Sequence, residues 1–254
     1  VLVLLTMLVI GLLLGFIGAG GSGFIIAVLS EVFDVPIHTA LGTSLAAMVF
    51  TSLSGTLSHL RERNVMVKVG LATGLFGAVG AFLGSHIADI IPGHELKWFT
   101  AGMLILSAIL LWIRVTIGFG MFSTQTMAKK NLSSKGRFWA AAGGVGIVTG
   151  ILSGVFGIGS TPFIQIGLLV FFGLSIQLSA GTTMLVIMPI ALVGGFGYYS
   201  VGFLDFKLFA EVVIGTIIGS YIGAKFTTRL HPLVLKIAMV AVPMLGGIIL
   251  LLGK

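Results

Sequence analysis

Apolar residues run along this chain in long blocks divided by short polar breaks. The blocks cover roughly residues 1–17, 24–33, 37–60, 66–91 and 95–115, then 138–156, 163–173, 176–200, 206–228 and 232–253. Most are as long as the ~20 residues that carry a helix across a bilayer core. Blocks 24–33 and 163–173 are shorter, giving about 15 Å of helix each, half a bilayer. The short segments of alternating polarity that a membrane barrel needs are absent. The pattern predicts an all-α polytopic membrane protein. Composition sharpens this: 57% of residues are hydrophobic and 8% charged, against about 25% charged in a soluble domain, so the solvent is mostly lipid.

The two sets of blocks are copies, 139 residues apart and without a gap. Gly11, Gly15, Gly18 and Gly20 fall on Gly150, Gly154, Gly157 and Gly159. Phe24, Phe33, Gly42, Thr43 and Gly55 fall on Phe163, Phe172, Gly181, Thr182 and Gly194, and Lys68, Gly80, Gly84 and Lys97 on Lys207, Gly219, Gly223 and Lys236. Between the copies lies a polar, basic, Ser-rich stretch. The chain therefore divides into a first membrane repeat (1–115), a linker (116–137) and a second membrane repeat (138–254). An internal repeat in a membrane chain points to a transporter with its substrate site between the repeats.

Charge bears on the orientation of the repeats. The net charge of +7 sits in the breaks, as cytoplasmic loops require, and does not point to nucleic acid. Inverted repeats put eleven of the fourteen Lys and Arg residues on the cytoplasmic side; parallel repeats put ten there. The balance favours inversion, with the linker cytoplasmic. Inversion needs an odd number of crossings per half. Three spanning helices then follow a hairpin, re-entrant or discontinuous, that turns at Gly18–Gly23 in the first half and at Gly157–Pro162 in the second.

These turns carry the candidate chemistry. Backbone that leaves a helix at membrane depth is tolerated only when buried in protein or lining a wet cavity. Glycine permits the unusual dihedrals and lets another backbone approach. A half-helix starts just past each turn, and its free N–H groups and dipole make an anion site. The candidate substrate-binding residues are Gly18, Gly20, Gly21 and Ser22 with Thr43 and Ser44 in the first copy. In the second they are Gly157, Gly159, Ser160 and Thr161 with Gln165, Thr182 and Thr183. Gly11/Gly15 and Gly80/Gly84 read instead as helix-packing residues of the small-xxx-small kind.

The stretches GFIGAGGSGF (15–24) with GTS (42–44), and GVFGIGSTPF (154–163) with GTT (181–183), resemble the TauE/SafE sulfite exporter family, also called the toluene sulfonate uptake permease family. The resemblance covers essentially the whole chain. One departure is Gly23, which stands where many relatives, and the second copy at Pro162, carry proline. The resemblance implies a bacterial or archaeal inner-membrane transporter of sulfur-containing anions such as sulfite, sulfoacetate or other organosulfonates.

Other polar residues are weighed singly. His59 and its repeat mate Tyr198 lie near the membrane edge and read as interface anchors, with substrate contact as the alternative. Trp98, Trp112 and Trp139 read as belt residues. Glu211 reads as an exposed carboxylate at a helix start, or as a proton carrier. A coupling ion, proton or sodium, is left open. No cofactor or metal is implied, and with no cysteine thiolate metal sites are excluded. Two rivals stand beside the transporter: a passive anion channel on the same scaffold, and an intramembrane serine protease suggested by the G-x-S-G string at 20–23 with His38, His59 and His86 on later segments.

Overall fold

The computed structural model describes residues 2–17, 22–117, 134–158, 160–227 and 232–253, and no strand occurs among them. Among the described residues are ten helices, in order: α1 (Leu2–Ile17), α2 (Ser22–Glu31), α3 (Ile37–Arg61), α4 (Val67–Ile90), α5 (Gly93–Ile117), α6 (Lys135–Phe156), α7 (Thr161–Phe172), α8 (Ile176–Ser200), α9 (Phe206–Thr227) and α10 (Pro232–Leu252). Each apolar block is a helix because lipid offers the backbone no other partner. Polar and special residues set the ends. Pro36 precedes α3, and Ser175 caps α8 by accepting from the Leu178 N–H at 3.3 Å. Gly173 closes α7 in the left-handed region at φ +60°.

Among the described residues, five helices are long and apolar enough to cross a membrane: 37–61, 67–90, 93–113, 135–156 and 177–200. The second hairpin is unequal. α6 has 22 residues and α7 has 12, about 33 Å and 18 Å of helix, so a full-length helix is followed by half of one. The polar stretch expected at 116–137 is helical at both flanks, since α5 runs to Ile117 and α6 starts at Lys135. Residues 118–133 lie outside the described residues.

The halves interlock. α6 of the second half packs along α4 of the first, and α1 of the first packs along α9 of the second. Both pairs run in the same direction: Gly146 meets Thr73, Gly150 meets Gly77 and Gly154 meets Ala81, each glycine lying against a carbonyl oxygen with no room for a Cβ. The 139-residue offset recurs in these contacts. Gly150 lies on Gly77 as Gly11 lies on Thr216, and Gly80 lies on Ile147 as Gly219 lies on Leu8. α3 and α8, equivalent helices of the two halves, pack with opposite directions: Gly42 meets Tyr198, Gly55 meets Met184, and Gly181 meets His59. The α3–α4 connection therefore lies at one end of this pair and the loop after α8 at the other. The core between them holds Ile26, Leu41, Leu45, Ile164, Leu168 and Ile190, all fully buried. Leu75, Val79 and Leu83 project outward, and Trp98, Trp112 and Trp139 are about half exposed, as side chains in lipid and at its boundary are.

The α4–α6 seam yields a test. Gly150→Ala drives a methyl into the Gly77 backbone, and overpacking of this kind costs roughly 1–3 kcal/mol. Gly144, on the same helix, has nothing within 4 Å of where its Cβ would be. Thermal melts of the purified protein should show Gly150→Ala melting lower and Gly144→Ala unchanged; equal melts would mean the seam is loose.

Candidate functional site

The second break is built from two left-handed residues. Gly157 closes α6 at φ +63°, its N–H donating to the Ser153 carbonyl at 2.8 Å. Only glycine takes this conformation without strain, and a Cβ there would also stand 3.0 Å from the Leu41 Cα and carbonyl oxygen. Ser160 follows at φ +45°, an uncommon conformation for a residue with a side chain. α7 then starts at Thr161 with Pro162 in its first turn, where the missing N–H leaves no bond unmade. Ser160 stands at the N-cap but makes no capping bond. Its hydroxyl and that of Thr161 are buried and unpartnered.

Of the first break, Gly18, Gly20 and Gly21 lie outside the described residues, as does Gly159 of the second. α2 opens at buried Ser22, whose hydroxyl has no partner. Its carbonyl accepts a hydrogen bond from the Ser44 hydroxyl at 3.0 Å. Leu41, which receives Gly157, and Ser44, which holds Ser22, are three residues apart on α3 and therefore neighbours on its surface. Both breaks meet on one turn of α3. Thr43, between them in sequence, is fully buried with an unpartnered hydroxyl.

Tyr198 corrects the sequence reading. Expected as an interface anchor, it is 0% exposed, and its hydroxyl donates to the Gly154 and Val155 carbonyls at 2.8 and 3.2 Å. These belong to the last turn of α6, whose carbonyls have no intrahelical donor. Burial follows from the loop after α8, which folds back so that the Phe203 carbonyl lies against Gly42 and its ring stacks on His38 at 4.7 Å. His59 is partly exposed, 3.8 Å from Glu62. The backbones match all the same: a Cβ at Gly42 would stand 2.8 Å from Tyr198 Cβ, and one at Gly181 would stand 2.9 Å from His59 Cβ.

The second Gly-Thr pair is elsewhere. Thr182 Oγ1 accepts from the Met66 N–H at 3.0 Å, and Thr183 donates to the Ser179 carbonyl of its own helix at 2.7 Å. Thr182 and Tyr198 lie toward opposite ends of α8, about 24 Å apart along its axis. The structure thus brings Ser22, Thr43, Ser44 and Gly157 together on α3 and does not bring Thr182 and Thr183 there. Gln165 is 6% exposed with its side-chain oxygen unpartnered, and its backbone carbonyl accepts from Ser179 at 3.2 Å. The sequence reading missed Ser153, a buried, unpartnered hydroxyl one turn before Gly157. Its repeat mate is Leu14, so comparison of the copies passes over it, although a serine one turn ahead of a helix-breaking glycine was visible.

Buried polar groups are nearly always hydrogen-bonded, and leaving one unpaired costs about 1–3 kcal/mol. The breaks and the helices they join nevertheless carry Ser22, Thr43, Ser153, Ser160, Thr161 and Gln165 with unpartnered atoms. Two helix N-termini add N–H groups and favourable dipoles. A small guest rich in acceptors would satisfy the open hydroxyls, while the Gln165 oxygen, itself an acceptor, calls for a donor. These groups are neutral: Lys68 lies over the Phe138 ring at 5.1 Å, and Lys207 is exposed at the start of α9. Among the described residues, no base lies in hydrogen-bond reach of the Ser22 hydroxyl, as a nucleophile needs. His38 bonds the Ala88 and Ile91 carbonyls, His86 bonds the Phe82 carbonyl, and His59 stands by Glu62.

Comparison with known proteins adds the following. The family model described as sulfite exporter TauE/SafE matches residues 3–250. A probable membrane transporter protein of Bacillus subtilis (strain 168), YdhB, is 51% identical over 250 residues, covering 98% of this chain and 99% of that one. A probable membrane transporter protein of Xylella fastidiosa (strain 9a5c) is 29% identical, covering 87% and 82%. A third, MJ0441 of Methanocaldococcus jannaschii, is 25% identical, covering 99% and 96%. No solved structure matches.

The Tyr198 brace gives a prediction that needs no substrate. Tyr198→Phe keeps the ring and removes the donor, leaving two buried carbonyls without it, at a cost of about 1–3 kcal/mol. The melting temperature should fall by more than in His59→Phe, whose side chain is already partly in solvent. An unchanged melt for Tyr198→Phe would mean the phenol braces nothing.

Proposed function

The chain belongs to the sulfite exporter TauE/SafE family, and on that premise we propose that it is a secondary transporter, working as an exporter, of small sulfur-containing oxyanions such as sulfite, sulfoacetate or other organosulfonates. The observation that carries this reading is the group of buried, unpartnered hydroxyls around two helix breaks that meet on one turn of α3. An oxyanion offers several acceptors on a compact body and matches such donors. A neutral site also suits release, because a formal ion pair at low dielectric is held far more tightly.

In this reading the two halves, 1–115 and 138–254, are inverted repeats joined by a cytoplasmic linker, in the plasma membrane of a bacterium or archaeon. The opposite directions of α3 and α8 support inversion: equivalent helices that pack antiparallel are related by an axis lying across them, in the plane of the membrane. The distribution of Lys and Arg supports the same arrangement and puts the 61–68 loop inside. Transport then proceeds by alternating access. α4 with α6, and α1 with α9, are locked by glycine seams and move as units, and the α3–α8 pair between them exposes the breaks to one side and then the other. Ser22, Thr43, Ser160 and Thr161 donate to the anion, with the Gln165 amide beside them; Ser44 holds the first break in place. The same donors would serve a passive channel, which would differ in giving linear, ohmic flux.

Two measurements test this. In proteoliposomes, sulfite uptake should saturate, and Thr43→Val should lose about 10- to 150-fold in affinity, the worth of one hydrogen bond to a charged ligand, roughly 1.5–3 kcal/mol. Thr182→Val should mainly lower the melting temperature, since its hydroxyl is committed to Met66; Lys68→Gln and Lys207→Gln should change affinity little. Loss confined to the lysine variants would place the site elsewhere. For topology, single cysteines at Asn64 and Ser200 should label from opposite faces, Asn64 from the cytoplasm; labelling from one face would rule out inversion.

A further inference from the structure

α2 is held at both ends against the same two helices. At its start, the Gly23 carbonyl lies 3.2 Å from where a Cβ of Gly246 on α10 would stand, and Leu104 of α5 fills the space beside Gly23. At its end, the Glu31 carboxylate pairs with Lys97 Nζ of α5 at 2.9 Å. Lys97 also donates to the Gly253 carbonyl just past α10 at 3.1 Å, and the carboxylate occupies the space a side chain at Gly253 would take. Gly23, Ala27 and Glu31 recur every four residues and so share one face of α2. Ala27, midway, is fully buried.

The pair borders a pocket of about 470 Å³ whose lining includes Glu31, Asp34, His38, His94, Lys97 and Trp98. Glu31 is the last residue of α2, where the negative end of the helix dipole opposes a carboxylate. The side chains of Glu31 and Lys97 are only 11% and 15% exposed, so the pair is largely buried. The groups facing Glu31 around the pocket are Lys97 and His94 from α5, Asp34 from the α2–α3 connection, His38 from α3 and the Gly253 carbonyl. His38 is bonded to the Ala88 and Ile91 carbonyls, and His94 Nε2 accepts from the Trp98 indole at 3.2 Å. The repeat mate of Glu31 is Val170, so the second half has no such carboxylate.

We propose that Glu31 is a proton-binding site that operates a gate: ionised, it clamps the end of α2 to Lys97; protonated, it releases α2 from α5 and α10. The direction follows from charge alone, since the attraction exists only while Glu31 is ionised. One proton is taken from the pocket, no covalent bond to carbon changes, and Lys97 keeps its charge and its bond to the Gly253 carbonyl. Release opens the face carrying Ala27 and Gly23, a path from the pocket toward Ser22. The purpose of the gate rests on the transport reading above, and on the inverted topology the pocket opens to the non-cytoplasmic side.

The test uses the full chain, free of native cysteine, with Ala27→Cys, in lipid nanodiscs. Labelling by a charged methanethiosulfonate is measured against Ser200→Cys, which is exposed and at the pocket's end of the molecule, to cancel the thiol's own pH response. Relative labelling of Ala27→Cys should be slow at neutral pH and rise on acidification. Adding Glu31→Gln should make it at least about ten-fold faster at neutral pH, because breaking a largely buried pair is strongly destabilising, and independent of pH. Exchanging the charges, Glu31→Lys with Lys97→Glu, should restore slow labelling. A relative rate in Ala27→Cys alone that ignores pH, or a pH response that persists in Glu31→Gln, overturns the proposal. No anion enters the measurement, so its failure leaves the anion site untouched, and failed sulfite binding would leave the gate result standing.

Discussion

A backbone in lipid must find all its hydrogen-bond partners within the protein, and this requirement organises the molecule. A continuous helix meets it alone. A broken one does not, and each break strands N–H groups on one side and carbonyls on the other. At the second break the carbonyls of α6 are met by the Tyr198 phenol, and the chain is pressed against Leu41 of α3 through a glycine. At the first, Ser44 donates to the carbonyl of Ser22, the opening residue of the half-helix. The carbonyl side of the second break is repaired by the protein. The hydroxyls at the starts of both half-helices have no such partner.

Repair at such depth demands close approach, and glycine supplies it. Seams in which one helix's glycines lie on another's carbonyl oxygens leave no space for side chains between α4 and α6 or between α1 and α9. Because each seam joins the first helix of one half to the fourth of the other, neither half closes its own core. Interlocking explains why a chain with so few charges can hold two breaks at fixed positions: the breaks are set by packing across the halves, not by salt bridges along them.

Much of this could be read from the chain, for definite reasons. Lipid imposes a minimum helix length, so the apolar blocks gave the helices. The matched glycines at 11 and 150, or 80 and 219, announced close packing because they recur at one offset. Tyr198 misled because its place near the end of an apolar block says nothing about the loop that folds over it. Thr182 misled differently. A matched motif keeps its backbone environment, as Gly42 and Gly181 do, while the neighbouring loop decides whether the hydroxyl is free; the α3–α4 connection delivers the Met66 N–H to Thr182. Ser153 has no counterpart, and symmetry hides what only one copy possesses.

The unequal pair Tyr198 and His59 has a thermodynamic consequence. On the proposed inverted arrangement, two identical halves that exchanged conformations would give two resting states of equal energy, populated one to one. The phenol bond to the last turn of α6 exists in one half only, and a hydrogen bond of about 1 kcal/mol net tips such a balance by roughly five-fold. On that proposed arrangement the duplicated scaffold would carry a built-in idle position: before any solute or gradient acts, one orientation would already be the more occupied.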